Sequence, residues 1–153
     1  MSDQPRRKPL EFWHHHLGVS VPDLEEAIRW WRRVLDFTVD RRFPIPPIPA
    51  EVAILRNGPL YVELFEVPGA GPLPPERRAP DTDVRTHGNK HVAFAVRSVR
   101  EFAQELERRG ADIVWVREMP HGSNIFIRDN AGNLIEFVQE PQVADTVAHL
   151  ENQ

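Results

Sequence analysis

Two stretches of the chain read almost alike: HLGVSVPDLEEA at residues 16–27 and HVAFAVRSVREF at residues 91–102. Their opening histidines, His16 and His91, stand 75 residues apart. Seven residues after each histidine comes a residue suited to start a helix, Asp23 or Ser98, and three residues later a glutamate, Glu26 or Glu101. This is the capping-box pattern, with Asp in place of Ser or Thr in the first copy. The helices that follow carry matching apolar stripes. In the first these are Leu24, Ala27, Ile28, Trp31 and Leu35; in the second, Val99, Phe102, Ala103 and Leu106. Spacing of three, four and seven residues marks one buried helix face. Gly110 is a good residue for ending the second helix, whereas Asp36 in the same role tolerates the left-handed conformation less well.

Each helix is followed by three strand-like runs. In the first half they are FTVDRRF (37–43), EVAILRN (51–57) and LYVELFEV (60–67). In the second they are ADIVWVRE (111–118), SNIFIRD (123–129) and NLIEFVQE (133–140). Asn57-Gly58 and DNAGN (129–133) are turn signals between the last two runs of each half. The chain therefore reads as a duplicated strand–helix–strand–strand–strand unit. The proline-rich stretches PIPPIP (44–49) and PGAGPLPPERRAP (68–80) are expected to be loops, because proline cannot donate to a sheet ladder. The organisation that follows is an N-terminal tail at 1–12, a first module at 13–68, a linker at 69–88, a second module at 89–140 and a C-terminal tail at 141–153.

Composition removes several classes of function. The 153 residues carry a net charge of −4, too acidic for a nucleic-acid footprint. With no cysteine there is no disulfide framework, thiolate metal site or cysteine nucleophile. No apolar run approaches the ~20 residues of a membrane span, and the first residues lack the apolar stretch of a secretory signal. The expectation is a soluble cytoplasmic chain with neither a nucleic-acid nor a membrane partner. No phosphate-binding loop, GxSxG elbow or HExxH motif is present.

Strand alternation places the polar residues. In the opening strands, Leu17, Val19 and Val21, like Val92, Phe94 and Val96, belong to the helix side. His16, Gly18 and Ser20, like His91, Ala93 and Ala95, take the other face, where the small residues leave room for a bound group. In the closing strands Glu63 and Glu136 also lie opposite the apolar rows. A carboxylate among apolar neighbours needs a partner, since unpaired burial costs several kcal/mol. Two histidines and two glutamates thus recur at equivalent places on one sheet face. Imidazole plus carboxylate suits one divalent ion such as zinc, nickel, cobalt, manganese or iron. His16, Glu63, His91 and Glu136 are the expected ligands. His14 and His15 are read as ordinary, the first preceding the strand and the second falling on its wrong face. His87, His121 and Ser123 sit in or beside loops and are candidates for lining the site. Trp30, off the helix stripe, is read as exposed or as a subunit contact. Arg41, Arg42, Arg77, Arg78 and Arg85 are read as surface residues, one or two of which meet an anionic substrate.

The motifs HHLGVSVPDLEEAIRWWRRVLDF (15–37), YVELFEV (61–67), GNKHVAFAV (88–96) and RDNAGNLIEF (128–137) resemble those of the vicinal oxygen chelate superfamily, the glyoxalase/bleomycin-resistance fold. The resemblance covers about residues 13–140. It implies an α+β fold: two βαβββ modules whose eight strands curl as a mixed sheet into a cup around a divalent metal, with flanking helices. The cup is built within one chain or across two, and a homodimer is expected. Members include glyoxalase I, methylmalonyl-CoA epimerase, extradiol dioxygenases, fosfomycin-resistance thiol transferases and metal-free antibiotic-binding proteins. Bacterial-type glyoxalase I has His, Glu, His and Glu at the positions matching His16, Glu63, His91 and Glu136. The dioxygenases and thiol transferases do not need Glu63. Its presence favours proton-transfer chemistry, that of a lyase, isomerase or epimerase acting on a small carbonyl or oxygen-chelating compound. An extradiol-type dioxygenase and a metal-free binding protein are the alternatives. Glu136 and Glu63 are then the candidate bases, Glu136 being favoured because HGS at 121–123 places donors nearby. PIPPIPAEVAILRNG (44–58) departs from the glutathione-contacting pattern of glyoxalase I.

Overall fold

A computed structural model describes residues 9–120 and 122–140. The duplication is visible in every element. The first module comprises β1 (Leu17–Ser20), α1 (Leu24–Leu35), β2 (Thr38–Ile45), β3 (Ala50–Asn57) and β4 (Leu60–Glu66). The second comprises β5 (Val92–Val96), α3 (Val99–Arg108), β6 (Asp112–Arg117), β7 (Asn124–Arg128) and β8 (Leu134–Gln139). Between them lie a 3-10 turn at Pro75–Arg78 and a single helical turn, α2 (Pro80–Asp83), so the linker is partly helical.

Both capping residues act as their sequence suggests. Asp23 accepts the Glu26 N–H at 2.8 Å, and Ser98 accepts that of Glu101 at 3.3 Å. A second donor at each helix start is captured from the end of the closing strand. Leu24 N–H donates to Glu66 Oε2 at 2.6 Å, and Val99 N–H to Gln139 Oε1 at 2.9 Å. Each helix ends on a left-handed residue, Asp36 (φ 56°) or Gly110 (φ 69°). The strained Asp36 is compensated by a 2.7 Å ion pair with Arg109.

The strands form two four-stranded mixed sheets, ordered β1-β4-β3-β2 and β5-β8-β7-β6. The eight strands are not joined into one hydrogen-bonded sheet. In each sheet the first strand runs parallel to the last, and the other neighbours are antiparallel. The first proline-rich stretch departs from the loop expectation: β2 continues through Pro44, which pairs with Glu51. Proline is tolerated there because β2 is an outer strand, where a missing N–H need not break a ladder.

One buried core serves both modules. It joins Trp31, Val34, Leu55 and Leu64 of the first to Val99, Leu106, Ile125, Ile127 and Ile135 of the second. Burying each aliphatic side chain of this kind contributes about 1.5–3 kcal/mol. The modules touch through Phe37 and Phe94, whose ring centroids lie 6.4 Å apart, and through Arg109, which donates to the Val34 carbonyl. This corrects the reading of Trp30. It is 6% exposed and packs edge-on against Trp31, because α1 is enclosed by the shared core as well as by its own sheet. It is therefore not available as a subunit contact. None of the described helices is long and apolar enough to cross a membrane.

Candidate metal centre

Register carries the polar residues onto the faces away from the helices. Gly18 lies beside Glu63 in the β1–β4 ladder, and Ala93 beside Glu136 in the β5–β8 ladder. Each histidine, one residue ahead of its strand, reaches across this small residue to the glutamate. His16 Nε2 stands 3.0 Å from Glu63 Oε2, and His91 Nε2 stands 2.9 Å from Glu136 Oε2. A Cβ at Gly18 would make only an ordinary contact with the Phe65 ring at 3.4 Å, and Ala93 carries one at the equivalent place in the second module.

Both pairs are partly open to solvent, the histidines at 34% and 26% and each glutamate at 16%. Ion pairs in such settings contribute about 0–1 kcal/mol, so stability alone is a weak reason for building the arrangement twice. The chemistry of the donors fits a divalent ion. Two ligands at about 2.1 Å and a right angle are roughly 3.0 Å apart, close to both observed separations. Among the described residues, however, no three His, Asp or Glu side chains come together as one metal-binding group. The structure thus brings His16 to Glu63 and His91 to Glu136, and keeps the two pairs apart within a single chain.

The surroundings differ between modules. Beside His16 and Glu63, the first sheet presents an apolar patch of Val52 and Ile54 with Phe43, Ile45, Tyr61 and Phe65. Beside His91 and Glu136 stand Phe126, 4.8 Å from the His91 ring, and Trp115, 5.2 Å from Phe126. The Arg117 guanidinium lies 3.7 Å over the Trp115 ring. Asn124 donates to Glu136 Oε1 at 2.8 Å and accepts from Trp115 Nε1 at 3.3 Å. Sequence reading passed over Asn124, although the alternation of SNIFIRD puts it with Phe126 on the face of Glu136.

His15 was also misplaced. Its Nδ1 lies 2.6 Å from His16 Nδ1, and its ring stacks on Tyr61 at 6.3 Å. Strand alternation does not reach it, because β1 begins only at Leu17. His16 thus meets His15 through Nδ1 and Glu63 through Nε2. Of the proposed lining residues, His87 is exposed in the linker loop, and Ser123 accepts the Met119 N–H through its hydroxyl at 3.3 Å. His121 lies outside the described residues. Arg77 is not a free surface cation: it pairs with buried Asp83 at 2.9 Å. A cavity of about 660 Å³ lies at the seam between β1, the linker and the start of β5. It touches His91 but not His16, Glu63 or Glu136, so it is separate from the paired glutamates.

Comparison with known proteins agrees with this architecture. The Glyoxalase/Bleomycin resistance protein/Dioxygenase superfamily matches over residues 13–137. The uncharacterized protein YwkD of Bacillus subtilis (strain 168) is 28% identical over 107 residues, covering 69% of this chain and 78% of YwkD. A glyoxalase family protein from Enterococcus faecalis superposes with a TM-score of 0.70 at 19% identity, covering 83% of this chain and 97% of that one. The trypanothione-dependent glyoxalase I of Leishmania major superposes with a TM-score of 0.64 at 21% identity, covering 94% and 98%. At these identities the two structures speak for the fold alone.

Proposed function

Since the chain belongs to the Glyoxalase/Bleomycin resistance protein/Dioxygenase superfamily, we propose that it is a divalent-metal-dependent lyase or isomerase acting on a small carbonyl compound by proton transfer. The observation that carries this reading is the repeated His–Glu contact, 3.0 Å in one module and 2.9 Å in the other. The four residues act as one site when two copies of the chain associate. His16 and Glu63 of one copy then face His91 and Glu136 of the second. The separation of the pairs within one chain supports this homodimeric arrangement. Zinc, nickel, cobalt, manganese and iron all suit two imidazoles and two carboxylates. Such an ion supplies Lewis acidity, polarising a substrate carbonyl and stabilising charge on adjacent oxygens.

The chain's own groups supply the rest. Glu63 and Glu136 are the carboxylates placed to take a proton from carbon and return it. Phe43, Tyr61, Phe65, Trp115 and Phe126 offer apolar walls that exclude water from the reacting group. His87, Ser123 and His121 are proposed to line the mouth.

Complementation tests the arrangement. One chain carries His16→Ala and Glu63→Ala, the other His91→Ala and Glu136→Ala. Neither variant alone should bind metal tightly, whereas co-expressed chains should restore one site per heterodimer. Elemental analysis after purification without chelators, with mass from light scattering, reads the result. No recovery in a confirmed heterodimer would refute a shared site. Wild-type protein that takes up no metal yet binds apolar ligands would favour a binding protein. Iron with oxygen consumption on catechols would favour a dioxygenase.

A further inference from the structure

The duplicated glutamates are not held alike. Both oxygens of Glu136 are engaged: Oε2 with His91 at 2.9 Å and Oε1 with the Asn124 amide at 2.8 Å. The orientation of that amide is fixed in turn. An indole N–H can only donate, so the Asn124 atom facing Trp115 Nε1 is Oδ1 and the atom facing Glu136 is Nδ2. Trp115 packs edge-on against Phe126, and Phe126 against His91. Glu136, Asn124, Trp115, Phe126 and His91 therefore form a closed circuit in which each member holds the next.

Glu63 has no such circuit. It contacts His16 through Oε2, and nothing among the described residues donates to its Oε1. Register shows why. Asn124 pairs with Val138, two residues beyond Glu136, and the matching residue, paired with Phe65 two beyond Glu63, is Val52. Val52 is fully buried in the apolar patch and has no side-chain donor.

We infer that Asn124 is a positioning residue that locks Glu136 as the fixed carboxylate of the site, leaving Glu63 as the carboxylate that swings. This rests on the metal reading given above and deepens it. A glutamate with one oxygen tied to an amide keeps a single orientation. A glutamate held by one contact can rotate aside as substrate oxygens arrive and then stands free to take a proton. The favoured base is accordingly Glu63, not Glu136.

The test uses the full chain loaded with Co²⁺. Affinity is read by chelator competition, and the visible spectrum is recorded before and after adding acetohydroxamate, a probe with two adjacent oxygens. Asn124→Val, which copies the first module, should weaken Co²⁺ binding about 10- to 100-fold, the usual effect of deleting a partner behind a ligand, and should change the spectrum. Glu136→Gln should lose more affinity than Glu63→Gln. Trp115→Phe keeps an aromatic ring but removes the N–H that orients the amide. It should shift affinity and spectrum in the same direction, and it reports even where Asn124→Val does not fold. Wild-type affinity and spectrum in folded Trp115→Phe and Asn124→Val would overturn the inference while leaving the metal reading intact. So would a greater loss in Glu63→Gln than in Glu136→Gln. Wild-type protein that binds no Co²⁺ would overturn both.

Discussion

Asp83, in the linker, provides a sharp test of what holds the linker to the residues that lead into β5. Its side chain is 1% exposed, and Oδ1 accepts from Arg77 Nε at 2.9 Å and Lys90 Nζ at 3.2 Å. Lys90 also donates to the Asp83 and Thr86 carbonyls, and Arg77 to that of Asn89. Asp83→Ala removes two hydrogen bonds from charged donors, each worth about 1.5–3 kcal/mol. Two effects reduce the sum. The cations keep their carbonyl partners, and the buried Oδ2, which has no partner, is removed as well. The expected loss is about 3 kcal/mol, at the lower end for breaking a buried pair from one side. For a chain of this size that lowers Tm by roughly 6–12 °C. Calorimetry and urea denaturation measure it. Because the pair is shielded from solvent, the loss should change little between low and high salt. Asp83→Asn, which keeps an acceptor at Oδ1, should lose less than Asp83→Ala. A loss below about 1 kcal/mol, or one that vanishes with added salt, would show that the linker cations are solvated and that the network does not fix the linker ahead of β5.

Two further outcomes are expected. Trp30→Ala should destabilise the chain by about 3–5 kcal/mol in denaturant unfolding, with no change in self-association, because the ring is buried in the core and not at a subunit contact. Burial raises the Asp129 carboxyl above its ordinary value, against the opposing pull of hydrogen bonds from Asn133, Ala131 and Gly132. The folded protein then favours the protonated form, so stability from this group is fully present below the unfolded pKa and is lost as pH rises through the folded one. Wild type should gain stability relative to Asp129→Asn as pH falls from neutral into and below the aspartate range, as denaturant titrations at each pH would show; a difference that does not vary with pH would refute the shift.

Much of this molecule was legible because its local signals are strong and occur twice. The caps at Asp23 and Ser98, the helix stripes and the strand alternation are short-range patterns; both long helices and all eight expected strands are present, although β3 and β7 bury several consecutive residues rather than alternating. What escaped depends on long-range packing. Trp30 looked exposed because a stripe describes one contact surface, whereas α1 has two. Pro44 looked like a loop residue because its sequence does not reveal that β2 is an edge. The pairing of His16 with Glu63 and of His91 with Glu136 followed from alternation and duplicate spacing. The separation of the pairs did not, since sequence spacing says nothing of how one module docks on the other. Asn124 was overlooked for a simpler reason: attention fell on titratable groups, and an amide beside a carboxylate shapes it without titrating.

Within each sheet the chain begins and ends side by side, β1 against β4 and β5 against β8. Because each pair is parallel, the chain enters at one end of the sheet and leaves at the other, and each unit keeps all its ladders to itself. Doubling such a unit as a piece leaves every strand with its partners. The two copies share their caps and helix-side rows and differ on their polar faces. Val52 and Asn124, equivalent in register and opposite in character, mark one place where the twins parted. The divergence at this position makes the two polar faces unlike, one apolar and one hydrogen-bonding beside its glutamate.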